Sequence, residues 1–174
     1  MVTFFLIFIN VLVYFLVQND KIYIILGLNI LFFKAGYFWQ ILSSMFMHAN
    51  ITHLVLNMLV LFQFGRILEN FLGALKFSLL YFVGGLLCSL LSAFYVFFAF
   101  DFLNQNINIV GASGAICVLM GFYAYRDKSA TKGLIVAILL MSFVPLFMGI
   151  NIAWYAHIFG FICGYILAKL RRVI

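Results

Sequence analysis

Three short stretches of this chain set reactive side chains in a background of hydrocarbon: His48-x4-His53-x3-Asn57, Gly111-x-Ser113-Gly114 and Ala156-His157. A polar side chain inside an apolar membrane span is expensive and marks function by default. Serine supplies a nucleophile and histidine a general base, while histidine and asparagine N–H groups can donate to a developing oxyanion. The combination points to acyl transfer by an activated serine at membrane depth, with peptide-bond cleavage as the expected reaction.

Each residue also has a plainer reading. Ser113 stands between Gly111 and Gly114 at the expected start of a helix, where free backbone N–H groups and positive potential favour an anion. Alone it reads as an N-cap. His157 shifts that balance, because it shares one helical face with Gly160 and Gly164, and small residues so spaced let membrane helices pack backbone to backbone. Ser113, Cys117 and Gly121 make a similar face. Packing the two faces brings the Ser113 hydroxyl to the His157 imidazole.

His53 and Asn57 lie one above the other on a helix and serve either as oxyanion donors, beside the Ser113 amide, or as interhelical hydrogen bonds. His48 reads as a support for the preceding loop. Asp20, Glu69, Asp101 and Asp127 all fall at span ends or in loops, so a Ser113–His157 dyad is expected with no acid to complete it. Three histidines would suffice for zinc, but there is no HExxH or nearby carboxylate. Neither a metal nor a cofactor is indicated. Cys88, Cys117 and Cys163 sit in apolar stretches without a CxxC pair and read as buried small hydrophobes. The sequon Asn50-Ile51-Thr52 reads as incidental beside the membrane.

The elements that must carry these groups follow from composition. The 174 residues are 68% hydrophobic and 8% charged, with a mean hydropathy of +1.25, against about 25% charged in soluble domains. The expectation is an all-α integral membrane protein, one domain over residues 1–174. Six spans are expected, near residues 4–17, 51–67, 77–98, 113–125, 133–147 and 152–168. Residues 22–33 are apolar but reach only about 18 Å as a helix, too short to cross about 30 Å of hydrocarbon, and read as interfacial or re-entrant. Residues 4–17 lack the flanks of a signal peptide.

The net charge of +6 forms no aromatic-interleaved basic patch, so nucleic acid is not an expected partner. It reads instead as a topology signal. With six spans and the N-terminus inside, eight of the ten Lys and Arg residues face the cytoplasm and only Lys21 and Lys34 face out, as the positive-inside rule asks. Both termini are then cytoplasmic. His53, Asn57, Ser113 and His157 all fall in the outer halves of their spans. The short fourth span places Ser113 roughly 10 Å below the outer surface. A helix that starts there needs protein or water around its free N–H groups, and residues 104–108, rich in asparagine, are suited to enter such a cavity.

In order and spacing these motifs resemble those of the rhomboid family of intramembrane serine proteases, over nearly the whole chain. Gly65-x3-Glu69-x3-Gly73 is similar to that family's turn after its second helix. The resemblance implies a six-transmembrane-helix bundle, a Ser113–His157 dyad, and an oxyanion hole from His53, Asn57 and the Ser113 amide. Gly111, Gly114, Gly160, Gly164 and His48 would support it. Also implied are a first loop partly in the membrane and a mobile fifth loop at residues 147–153. Substrates would be single-span membrane proteins in the bilayer, for a bacterial inner-membrane enzyme of unspecified oligomeric state. Two departures stand out: Trp39-Gln40 where the family commonly has Trp-Arg, and Cys117 where a tyrosine often packs on the histidine. An inactive relative that binds membrane clients is the rival reading. A small transporter is disfavoured, since no inverted repeat or midplane ion pair is evident.

Overall fold

The structure, a computed structural model, describes residues 1–147, 149 and 152–170. Arg171 and Arg172, used in the charge count, and part of the expected fifth loop lie outside the described residues. The described residues are almost wholly helical, with one isolated antiparallel bridge, Leu28 with Ile109, and no strand. Six helices have 14 residues or more: α1 (Val2–Leu16), α5 (Ile51–Leu72), α6 (Ala74–Leu103), α7 (Ser113–Arg126), α8 (Thr131–Phe147) and α9 (Trp154–Leu170). Between α1 and α5 run three short helices, α2 (Asp20–Leu26), α3 (Leu31–Lys34) and α4 (Gln40–Ser43), and a 3-10 turn, Ser44–Phe46. By length and composition α5 and α6 are each able to cross a membrane, and α1, α8 and α9 are shorter apolar helices.

α5, α6, α8 and α9 pack around α7, and α1 lies against α5. Every residue of α7 from Ala115 to Phe122 is buried, so this helix, about 21 Å long, shows its middle to protein on all sides. Lipid is as apolar as a leucine side chain, so helices in it associate through close packing rather than a hydrophobic drive. Glycine makes that packing possible between α7 and α9. A Cβ on Gly160 would meet the Gly114 carbonyl, one on Gly164 the Val118 carbonyl, and one on Gly121 the Phe161 carbonyl. The interface is therefore wider than the Ser113–Cys117–Gly121 face expected from the sequence, because Gly114 and Val118 present their backbones as well.

The first loop is held by amides. Gln40, fully buried, donates from Nε2 to the carbonyls of Ile24 (3.3 Å) and Ile25 (3.2 Å) and accepts from the Asn29 N–H (3.3 Å). Trp39 Nε1 donates to Ile25 O at 3.1 Å. Asn29 Nδ2 donates to Ile24 O, Gly27 O and Asn108 Oδ1, which ties this loop to the one before α7. Buried backbone carbonyls need such partners. Gln40, one of the two departures from the family pattern, supplies them without a charge.

Candidate active site

Ser113 is the first residue of α7, and the cap position belongs to Ala112, which makes no side-chain cap bond. The Ser113 hydroxyl is therefore not used as a cap. Its Oγ lies 3.1 Å from His157 Nε2. His157, in the first turn of α9, is 6% exposed. On its far side Nδ1 lies 3.1 Å from the Oγ of Ser142 on α8. Ser142 was not among the residues singled out in the sequence, although it interrupts an otherwise apolar run from 133 to 147.

Gly111 shapes the approach to Ser113. Its φ of +123° is open to glycine and rarely to other residues, and its N–H donates to Ser44 O at 2.9 Å. A Cβ there would lie 2.9 Å from His53 Nε2 and 3.6 Å from Asn57 Nδ2. Both side chains thus converge on the backbone two residues before Ser113. Asn57 is 6% exposed, and its buried Nδ2 has no partner among the described residues. An orphaned buried donor of this kind is costly unless a ligand satisfies it. The first N–H groups of α7 add donors at the same place, since a helix leaves its first turn unpaired.

Other flagged residues take supporting places. His48, in the loop before α5, is buried with its ring 5.2 Å from that of His53 at 64°. Asn50, the sequon asparagine, caps α5 by accepting from His53 N at 2.8 Å. Cys117 is fully buried and touches the position of Gly160. Cys88 donates to Ala156 O at 3.2 Å, holding the start of α9 against α6. An aromatic stack that the sequence did not flag, Tyr95 on Tyr155 at 3.7 Å, also joins α6 to α9. Among the described residues no cluster of His, Cys, Asp or Glu has the makings of a metal site.

A cavity of about 1760 Å³ reaches Ser113 and His157. α5 lines one side of it through His53 and Asn57, and α8 the other through Met141 and Pro145. Gln105, Asn106 and Asn108 border it from the loop before α7, so this polar stretch does enter the cavity. The arrangement offers a hydroxyl facing an imidazole nitrogen, unpaired donors beside it, and a way in.

A family model described as the Rhomboid domain matches residues 35–173. The chain belongs to the rhomboid family. This rhomboid chain is 35% identical over 140 residues to RHOMBOID-like protein 4 of Arabidopsis thaliana, covering 74% of itself and 33% of that protein. It is 31% identical to the YdcA protein of Bacillus subtilis over 142 residues, 78% of this chain and 68% of the relative. Against Rhomboid-like protease 1 of Toxoplasma gondii the identity is 30% over 148 residues, 79% of this chain and 48% of the relative. The chain thus spans about a third of the plant protein and about two thirds of the bacterial one. Rhomboids are integral membrane proteins that generally act as intramembrane proteases on membrane protein substrates, and the all-helical, apolar architecture is of that kind.

Proposed function

We propose that this rhomboid is an active intramembrane serine endopeptidase that cleaves single-span membrane proteins near the outer leaflet. The observation that carries the reading is the 3.1 Å contact of Ser113 Oγ with His157 Nε2 at a cavity. His157 takes the Ser113 proton as Oγ attacks the scissile carbonyl, forming the C–O bond. The oxyanion is met by Asn57 Nδ2, His53 and the N–H groups that open α7, donors already in place when the charge develops. His157 passes its proton to the leaving amide nitrogen as the C–N bond breaks. Water then enters, His157 again takes a proton, and the acyl–serine ester is hydrolysed.

The architecture proposed with it is one domain of six spans, carried by α1, α5, α6, α7, α8 and α9, with both termini cytoplasmic in a bacterial inner membrane. α2 to α4 are its interfacial first loop. Four of the six helices, α1, α7, α8 and α9, have fewer than 18 residues, which fits a bundle whose core is shielded from lipid.

The test is cleavage of a single-span model substrate in liposomes, with Ser113→Ala and His157→Ala beside the wild type. Both variants are expected to be inactive while folded. Asn57→Ala and His53→Ala should each lower kcat by roughly 10²- to 10³-fold at most, as for loss of one oxyanion donor. Cleavage surviving Ser113→Ala, or no cleavage across a varied substrate panel, would overturn the reading in favour of a client-binding protein.

A further inference from the structure

The geometry points to Ser142 of α8 as a positioning residue that accepts a hydrogen bond from His157 Nδ1–H and so holds the imidazole with Nε2 toward Ser113. This rests on the proposed hydrolysis.

Ser142 is fully buried and is not part of the cavity wall, so it is not placed to touch a substrate. Its one hydrogen bond among the described residues is the 3.1 Å contact with His157. A helical serine in an apolar setting ordinarily returns its hydroxyl to the carbonyl four residues back. Ser78 does so to Ala74 O at 2.8 Å and Ser92 to Cys88 O at 2.9 Å. Ser142 makes no such bond and faces His157 instead. No carboxylate contacts His157 among the described residues, Glu69 and Asp127 being engaged with Thr3 and Ser129 respectively.

A neutral imidazole carries one proton, and the partner of one nitrogen decides which nitrogen holds it. With Nδ1–H donated to Ser142, the Nε2 lone pair faces the Ser113 hydroxyl and is a base. With the roles reversed, Nε2 is already protonated and cannot take the serine's proton. The accepting role also survives the reaction, because the imidazolium donates from both nitrogens along the same two directions. A hydroxyl does this work without placing a second charge at membrane depth, where a carboxylate would be expensive.

The test compares wild type, Ser142→Ala and Ser142→Thr in detergent for kcat, KM and melting temperature. Side-chain ¹⁵N NMR of labelled histidine, assigned with His157→Asn, is read alongside. Ser142→Ala is expected to lower kcat about tenfold, the size of one lost neutral hydrogen bond, with KM within about twofold. Ser142→Thr is expected to recover most of kcat. The His157 signal should show the Nδ1–H tautomer in the wild type and a mixture in Ser142→Ala. Unchanged kcat and tautomer in Ser142→Ala would overturn the proposal, as would an Nε2–H resting state in the wild type. Should the added methyl of threonine lower the melting temperature, the tautomer of Ser142→Ala decides alone. A protein that cleaves nothing defeats the hydrolase reading, while the His157 tautomer still decides the role of Ser142.

Discussion

Thr3 gives both its backbone N–H, at 3.0 Å, and its hydroxyl, at 2.7 Å, to one oxygen of Glu69, across 66 residues of sequence. The other oxygen of Glu69 accepts from Val2 N at 2.7 Å. A carboxylate from α5 thus satisfies the first turn of α1, where free N–H groups and the helix dipole favour negative charge. Gly65 lies against the Thr3 side chain one turn back, so Gly65 and Glu69 make a single seat for the start of α1.

Removing that seat should loosen α1 from the bundle. Glu69→Ala leaves several donors at the start of α1 without their acceptor, and is expected to lower stability by about 2–4 kcal/mol. Glu69→Gln, which keeps one acceptor, should lose less. Unfolding of the purified protein by SDS titration in mild detergent measures both. An alanine variant as stable as the wild type would refute this account of the α1–α5 junction.

Gly160→Ala tests the α7–α9 contact. The new Cβ would press on the Gly114 carbonyl, a backbone atom with no rotamer to change. α9 must shift outward, and it carries His157 less than one turn away from the substitution. Activity is expected to fall by roughly 10²-fold or more, since displacements of about 1 Å in a catalytic pair are that costly. Stability should fall by about 1–3 kcal/mol as for an overpacked core. Retention of full activity would show that the interface has slack that the packing does not suggest.

His48 makes the fold sensitive to acid. Burial, and secondarily the neighbouring His53, push its imidazole down to about 4, against about 6.5 for a free histidine. Between those values the unfolded chain binds a proton that the folded chain refuses, so the His48 contribution to stability is complete above pH 6.5 and is lost as pH drops towards 4. His48→Gln should flatten the slope of stability against pH in that window, by up to about 1.4 kcal/mol per pH unit. Parallel slopes for the two proteins, measured from pH 7.5 to 4.5, would dismiss the effect.

What the sequence makes legible is what repeats locally. The approach of Ser113 to His157 follows from small residues spaced along two helices, whereas the turn at Gly73, with φ of +79°, is legible only through the resemblance of Gly65-x3-Glu69-x3-Gly73 to a family turn. The contacts that depend on single polar residues far apart in the chain are not legible in the same way. Asn29, Gln40 and Asn108 each look like an isolated amide, and only the folded loops show that they complete one another. Glu69 reads as a span end in sequence yet is 6% exposed, because α1 returns to cover it. Ser142 carried a weak signal, a lone hydroxyl in an apolar helix, with nothing in its neighbours to say that it faces a histidine 15 residues on.

α8 has two faces that are joined by one rigid backbone. Met141 and Pro145 border the cavity, and Ser142, between them in sequence, reaches back to His157. Any displacement of α8 at the cavity would carry Ser142 with it and change its contact with His157. The width of the cavity and the orientation of its base therefore hang on one helix, so a substitution that tilts α8 is felt by both.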